Sequence, residues 1–257
     1  MKKFISALLI VLLSGAAAQA AAFVAYNDFG GTASGYDGNY VTWYGANQKG
    51  ALYDYNTATS TGVTMKVGVA MDPSGGTLVA GTSAYNYFNG KVNPDGYIYN
   101  TSSHPLTLTF SGLDSNETYE VALFGDAGHA GWTNSNVYTI QKAVSFDNFS
   151  DGTLSGTDPN HEATSTMSAG DNDANGYIAD YKNIVPRADG TFSIRLTATG
   201  GNNYWILNAL MLSTMADGNG ADETPTSAVI GDAPEPLSLA LMMGLGIPLI
   251  FRRRRTV

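Results

Sequence analysis

The stretch LTLTFSGLDSNETYEVALF, residues 106–124, contains the pattern that decides the fold. Leu106, Leu108 and Phe110 alternate with threonine, and this two-residue period is typical of a half-buried β-strand. Residues 111–116 are Ser, Gly, Leu, Asp, Ser and Asn, which favour a turn, and residues 118–124 read as the returning strand. The sequence therefore predicts a hairpin-like pair here.

Similar signals lie on both sides of this stretch. Residues 63–71, 137–140 and 191–197 are predicted strands, because apolar and polar residues alternate in the longer ones. Residues 204–212 form a continuous apolar run that a helix would also fit, but the flanking Gly200 and Gly201 favour a buried central strand. Many short strands separated by Gly, Asn and Asp turns predict an all-β domain, a single β-sandwich of the jelly-roll type.

The two chain ends differ from this domain in composition. Lys2 and Lys3 precede an apolar segment at residues 4–13, and Ala18-Gln19-Ala20 provides a cleavage site, so residues 1–22 are predicted to be a signal peptide. Residues 23–214 form the predicted β-sandwich domain. Residues 215–233 are rich in Gly, Asp, Thr and Pro and are predicted to be a flexible linker, and residues 234–257 are a separate tail.

The charge balance restricts the partners. The chain has 22 acidic and 13 basic side chains, for a formal net charge of −9. Such a surface repels nucleic acid, so we predict no nucleic-acid partner. The sequence has no cysteine, which excludes disulfides and thiol catalysis.

The C-terminal tail combines a proline-flanked acid, an apolar run and a basic end. Two prolines favour an extended backbone before the run at residues 237–251, which is shorter than the roughly 20 residues that cross a membrane comfortably. The basic end favours the cytoplasmic side. The residues concerned are Pro234, Glu235, Pro236, Arg252, Arg253, Arg254 and Arg255. A C-terminal membrane anchor that is never cut is the alternative interpretation.

This tail resembles the PEP-CTERM sorting signal of Gram-negative bacteria, in which the same three parts occur in this order. The resemblance implies transient membrane insertion, processing by an exosortase after cleavage by signal peptidase, and delivery to the cell envelope, outer surface or extracellular matrix. Many members of that family accompany exopolysaccharide production. The resemblance therefore implies a role in biofilm or surface material.

The core has a second resemblance, over residues 106–212. The segments LTLTFSGLDSNETYEVALFGDAG, VYTI and DGTFSIRLTATGGNNYWILNALML are similar in order to galactose-binding-like and malectin-like jelly-roll domains. This resemblance is one of pattern and covers no diagnostic motif. It implies a carbohydrate-binding module, and extracellular polysaccharide as its partner.

Aromatic residues among polar ones are the candidate sugar contacts. Flat aromatic rings stack on the C–H faces of sugars, while amides and carboxylates bind hydroxyl groups. The candidate ligand-binding residues are Trp43, Tyr44, Asp126, Trp132 and Asn134. The alternative is that these rings cover the edge of the core.

Residues 171–176, DNDANG, match the opening of a calcium-binding loop, with oxygen-bearing side chains at alternate positions and a final glycine. The predicted calcium ligands are Asp171, Asp173 and Asn175. The twelfth position, which is Glu in an EF-hand, is Lys182. The alternative is a surface turn that binds no metal.

Catalytic motifs are not apparent. The three histidines lack metal-ligand spacing, and no Gly-x-Ser-x-Gly motif occurs. We therefore predict a non-catalytic protein of the cell surface or matrix that binds carbohydrate, with calcium as its only cofactor. A purely structural matrix protein, glycosylated or self-associating, is the alternative, and a polysaccharide-active enzyme is the third hypothesis, because sequence does not show which carboxylates meet.

Overall fold

A computed structural model describes residues 22–29, 40–42, 49–68, 76–94, 96–157 and 162–215. The chain divides into two compact units, residues 1–222 and 223–257, and every described residue belongs to the first. Residues 1–21 and 216–257 lie outside the described part, and with them most of the predicted signal peptide and linker and the whole sorting tail. Among the described residues, no helix has the length and apolar character needed to span a membrane.

The described part consists of fifteen strands and one short helix. In chain order these are β1 (Val24–Asp28), β2 (Tyr40–Thr42), β3 (Lys49–Tyr53), β4 (Ser60–Val67), α1 (Ser83–Phe88), β5 (Ile98–Thr101), β6 (Leu106–Ser111), β7 (Tyr119–Phe124), β8 (Ser135–Gln141), β9 (Ser145–Asn148), β10 (Thr153–Thr157), β11 (Glu162–Ser168), β12 (Ile178–Val185), β13 (Thr191–Thr199), β14 (Tyr204–Leu207) and β15 (Ala209–Thr214). The prediction of an all-β domain is confirmed.

The strands form three sheets. The six-stranded sheet has the order β2-β1-β15-β7-β12-β9, and the seven-stranded sheet has the order β10-β11-β8-β13-β6-β4-β3. Strands β14 and β5 form a third sheet of two strands. All pairs are antiparallel except β1 with β2, which is parallel.

The two larger sheets share one hydrophobic core. Val121, Leu123 and Leu212 from the six-stranded sheet belong to the same buried cluster as Phe110 and Ile194 from the seven-stranded sheet. The strands β6 and β8 alternate between buried and half-buried residues, as expected where only one face of a sheet packs on a core. The arrangement is therefore sandwich-like, with the core between the inner faces of the two sheets.

Strands β7 and β15 are buried on both faces. Their outward side chains, including Ala122, Phe124 and Met211, form a second buried cluster with Ala84 and Phe88 of helix α1. The helix begins after Thr82, whose side chain caps it by accepting a hydrogen bond from the Tyr85 amide at 3.2 Å. Helix α1 thus covers the outer face of the six-stranded sheet.

The predicted hairpin of residues 106–124 is wrong. Strand β6 lies in the seven-stranded sheet and β7 lies in the six-stranded sheet, so the connection between them crosses the core. Leu113 in this connection donates a backbone hydrogen bond to Gly190, and the Tyr119 hydroxyl accepts one from the Asp114 amide at 2.9 Å. Alternation identifies a strand and its buried face but not its partner, because consecutive strands are neighbours only about two-thirds of the time.

The apolar run at residues 204–212 is not one strand, as predicted, but two. Strand β14 pairs with β5, whereas β15 lies between β1 and β7. The chain changes sheets at Asn208, which is fully buried. Its side chain accepts a hydrogen bond from the Asp126 amide at 2.7 Å and donates one to the Pro94 carbonyl at 2.9 Å. Asn208 therefore supports the bend with bonds that an apolar residue lacks.

The other strand predictions are confirmed within the described residues. Residues 63–67, 137–140 and 191–197 lie in β4, β8 and β13, and Val63, Met65 and Val67, which are apolar residues of the alternating pattern, are buried. Residues 69–71, the end of the first of these predicted strands, lie outside the described part.

Candidate functional site

A strip of aromatic rings lies where the β7–β8 loop meets the two-stranded sheet. We call His129, Trp132, Tyr204 and Tyr99 the aromatic strip. The rings of His129 and Trp132 stack with centroids 4.6 Å apart, and Trp132 and Tyr204 stack at 6.3 Å. Tyr99 meets Tyr204 edge-on at 5.7 Å. His129 is exposed and the other three rings are half-buried, so the strip is partly accessible to solvent and partly packed against the domain.

Backbone contacts hold the strip in place. The amide of Trp132 donates to the carbonyl of His129 at 3.1 Å, which makes a tight turn between the two rings. The amide of His129 in turn donates to the carbonyl of Gly170 at 3.0 Å. A side chain at Gly170 would collide with Trp132 and Asn134, so a glycine is needed for this close approach. The rings are therefore fixed by the fold.

Asn134 lies beneath the strip. It is fully buried, and its side-chain amide donates to the Tyr204 carbonyl at 2.8 Å, which ties the β7–β8 loop to β14. Its side-chain oxygen has no hydrogen-bond partner among the described residues. The sequence-based hypothesis placed Asn134 on the sugar-binding surface, whereas the structure places it as a support for Tyr204.

Asp126 is also fully buried. Its carboxylate accepts hydrogen bonds from the amides of Asn172, Gly128 and Thr77, at 2.9, 3.1 and 3.3 Å. These bonds join the β7–β8 loop to two other loops. Asp126 therefore holds together the loops beneath the candidate site. The prediction that it lies on the sugar-binding surface is wrong, because it is fully buried.

The predicted calcium loop forms a closed turn. Asn172 is fully buried, and its side-chain oxygen accepts a hydrogen bond from the Tyr177 amide at 3.0 Å. Its side-chain nitrogen donates to the carbonyl of Tyr177 at 2.9 Å and to that of Gly125 at 3.2 Å. Asp171 and Asn175 are exposed, while Asp173 is half-buried. The three predicted ligands thus differ in exposure, and only Asp173 turns toward the interior.

The structure brings Asp173 against Asp126. Burial, and after it the hydrogen-bonding contact with the Asp173 carboxyl, raise the pKa of Asp126 to about 7 against the backbone amides that lower it. One oxygen of Asp173 is buried and has no hydrogen-bond partner among the described residues. Two carboxyl groups this close need a shared proton or a cation between them. No group of three or more His, Asp or Glu side chains suited to a metal occurs in the described part of the chain.

Other predicted site residues lie elsewhere. Trp43, Tyr44 and all the sorting residues, from Pro234 to Arg255, are outside the described residues. The sequence did not reveal His129, Tyr99 and Tyr204 as partners of Trp132. The available signal was the spacing of Tyr97, just before β5, and Tyr99 within it, but it did not show that this strand pairs with β14. Comparisons with protein-family models, curated proteins and solved structures find no match to this chain.

Proposed function

We propose that this protein is exported to the cell surface or extracellular matrix and that its β domain binds carbohydrate without catalysis. The observation that carries the proposal is the aromatic strip of His129, Trp132, Tyr204 and Tyr99. Rings that the fold holds in place, with His129 exposed and the other three half-buried, support the proposal of a stacking surface for a sugar ring. Of the three predicted residues that the structure describes, Asp126, Trp132 and Asn134, Trp132 is the one that is not buried and so supports this function.

The charge of the protein indicates which carbohydrate suits it. The formal net charge is −9, and arginine and lysine are absent from the strip itself. Acidic polysaccharides would be repelled by this surface, so a neutral polysaccharide is the proposed partner. The imidazole of His129 and the backbone of the loop supply polar groups beside the rings.

We further propose that the domain is a jelly roll of the galactose-binding-like kind. Two larger sheets that share one core, with an aromatic strip where the β7–β8 loop meets β5 and β14, support this assignment. The resemblance of residues 106–212 to such domains supports it independently. Because a fold does not establish a function, the strip and not the fold carries the binding proposal.

Calcium is a proposed structural cofactor. The pair of Asp126 and Asp173, with a buried oxygen of Asp173 that lacks a partner among the described residues, supports this proposal. Asp171 and Asn175 stand on the exposed rim of the same turn. Calcium bound to Asp173 would fix the loop that carries Gly170. Because Gly170 packs against Trp132, the cation would also stabilise the position of Trp132.

The proposal for sorting rests on the tail. Replacement of Pro234, Glu235 and Pro236 by alanine is expected to stop processing, so that the protein stays in the membrane fraction. The measurement is the size and location of the protein in the producing cells. Processing at the wild-type rate in this variant would show that the tail is an ordinary anchor or has no sorting role.

The binding experiment compares Trp132→Ala with Tyr53→Ala on a panel of neutral and acidic polysaccharides, with calcium and with chelator. Tyr53 is a matched control because it is an exposed aromatic on β3, 37% exposed, outside the strip. We expect Trp132→Ala to weaken binding about tenfold or more, which corresponds to about 1.4 kcal/mol of contact energy. Equal loss in both variants, or no binding by the folded wild type, would contradict the proposal.

A structural role is the second candidate function. Strand β10 lies at the edge of the seven-stranded sheet, and among the described strands it pairs only with β11. Its residues Thr153, Ser155 and Gly156 are exposed, and an exposed edge can add a strand from another copy. Light scattering of a Ser155→Pro variant tests this role: self-association that persists unchanged would exclude the β10 edge.

A further inference from the structure

A polar cluster lies within the apolar outer face of the six-stranded sheet. It consists of Glu120 on β7, Asp180 on β12 and Ser213 on β15. Ser213 is directly opposite Glu120 in the antiparallel register, so their side chains lie on the same face about 5 Å apart. Asp180 is opposite Ala122, one step from Glu120 on that face. We call these three residues the oxygen cluster.

Every member of the oxygen cluster is buried and incompletely bonded. Glu120 is 0% exposed, Ser213 is 1% exposed and Asp180 is 5% exposed. One carboxylate oxygen each of Glu120 and Asp180, and the hydroxyl of Ser213, have no hydrogen-bond partner among the described residues. A buried polar atom without a partner costs about 1–3 kcal/mol. Three of them on adjacent strands therefore point to an occupant that binds oxygen.

The remaining two carboxylate oxygens are already occupied. The Tyr87 hydroxyl lies 2.8 Å from Glu120 Oε1 and 3.0 Å from Asp180 Oδ2, and its single proton serves one of them at a time. Lys182 Nζ lies 3.2 Å from Glu120 Oε1 and 3.6 Å from Asp180 Oδ2. A β-bulge in β12 follows Lys182, and Asn183 there has a φ of 49°, so the backbone is bent where the lysine turns onto the acids.

The charges of this region do not balance. Two carboxylates face one ammonium, and no other positively charged side chain contacts the two acids in an ion pair of the described residues. Burial, and after it repulsion by Glu120, raise the pKa of Asp180 to about 7 against the opposing effects of Lys182 and Tyr87. A water molecule would satisfy the hydrogen bonds, whereas a proton or a cation would also offset the extra negative charge.

We propose that Glu120, Asp180 and Ser213 hold a hard cation of the calcium class on the outer face of the six-stranded sheet. The cluster offers two carboxylates and a hydroxyl, which are oxygen ligands that Ca²⁺ takes in proteins. Tyr87 of helix α1 lies against the same carboxylates, so the cation would also fix the helix on the sheet. This site is separate from the pair of Asp126 and Asp173, which belongs to loops beyond the strand ends.

Lys182 would compete with a cation at this site. Its side chain is 22% exposed and lies at the rim, with Nζ 5.8 Å from the ring centroid of Phe149. The ammonium and a divalent cation would compete for the same carboxylates. Removal of the lysine is therefore expected to tighten cation binding, an effect opposite to that expected if the lysine only completes an ion pair.

The test is calcium titration of the chelator-treated full chain, followed by calorimetry. Wild type is expected to bind Ca²⁺ with a rise in its thermal midpoint. Ser213→Ala and Glu120→Gln are each expected to weaken this binding about tenfold or more, because loss of even a supporting partner of a metal ligand costs about 10–100-fold. Lys182→Met is expected to tighten it by a similar factor.

Asp173→Asn serves as the control, because it removes a carboxylate from the other pair and leaves the oxygen cluster intact. The proposal requires that Asp173→Asn keep the binding that Ser213→Ala weakens. Failure of Ca²⁺ to bind wild type would overturn the proposal and assign the three oxygens to water or a shared proton. Binding that Ser213→Ala, Glu120→Gln and Lys182→Met all leave unchanged would overturn it equally.

Discussion

At the scale of single residues, the two buried carboxyl pairs dominate the electrostatics of the domain. Asp126 meets Asp173 in the loops, and Asp180 meets Glu120 on the sheet. In each pair, burial disfavours the charged form and the neighbouring acid adds repulsion. Asp126 and Asp180 therefore each bind a proton more strongly in the folded protein than in the unfolded chain.

This proton uptake predicts the direction of the pH dependence when cations are removed by chelator. The pKa of Asp126 and that of Asp180 both rise from 3.8 to about 7 on folding. Between pH 3.8 and about 7 the folded state holds more protons than the unfolded chain. The contribution of these two groups to the free energy of unfolding is therefore greatest below about pH 4 and falls as pH rises to about 7. Each group contributes a slope of as much as about 1.4 kcal/mol per pH unit.

Urea unfolding from pH 4 to pH 8 measures this dependence. Asp180→Asn is expected to reduce the slope because asparagine cannot titrate. A free energy of unfolding that rises with pH over this window, in both proteins, would contradict the assignment of raised pKa values.

Gly125 is a residue at which the fold leaves no room for a side chain. A Cβ atom there would collide with the Asn136 side-chain amide and the Ile206 carbonyl, both buried. Gly125→Ala is expected to destabilise the domain by about 1–3 kcal/mol, the usual cost of overpacking. Gly131→Ala is the matched control, because Gly131 has a φ of 90° but open space around it, so only the backbone cost of about 1–2 kcal/mol applies.

Thermal unfolding of both variants provides the measurement. If Gly125→Ala is as stable as wild type, β8 and β14 do not approach the end of β7 as closely as the structure shows.

At the scale of elements, Asn208 allows one apolar run to serve two sheets. Its hydrogen bonds to the Asp126 amide and the Pro94 carbonyl anchor the junction of β14 and β15. Gly76 also packs against it, since a side chain at Gly76 would collide with the Asn208 amide. The bend therefore depends on a polar residue with both a donor and an acceptor.

Asn208→Leu is expected to destabilise the domain by about 2–6 kcal/mol, because two buried backbone groups lose partners at about 1–3 kcal/mol each. Asn202→Leu, in the exposed loop before β14, is the control and should change stability little. Chemical denaturation gives both values. A stable Asn208→Leu protein would mean that the junction is held by packing alone.

At the scale of the whole molecule, the shared core predicts cooperative unfolding of the two larger sheets. Leu123 of the six-stranded sheet and Ile194 of the seven-stranded sheet are both fully buried in one cluster. Leu123→Ala and Ile194→Ala should each lower the free energy of unfolding by about 2–5 kcal/mol, and both should shift the same single unfolding transition. Calorimetry that resolves two transitions, each sensitive to one variant, would show that the sheets unfold independently.

The sequence by itself determined six segments that contain seven of the fifteen described strands, the buried face of those that alternate, and one member of the aromatic strip. Alternation in residues 106–110 and 191–197 defined both strand and face, because a two-residue period is local. Trp132 stood out because it lies among Gly, Thr and Asn in a loop. The chain ends, with their resemblance to a sorting signal, also come from sequence and stay predictions of export.

The tertiary structure alone decided which elements meet. The partners of β6 and β7, the break at Asn208 and the pairs Asp126–Asp173 and Glu120–Asp180 all join residues that are distant in the chain. Periodicity carries no information on such contacts, since strand pairing depends on the free energy of the whole assembled core. The aromatic strip and the oxygen cluster exist only because that assembly brings separate strands and loops side by side.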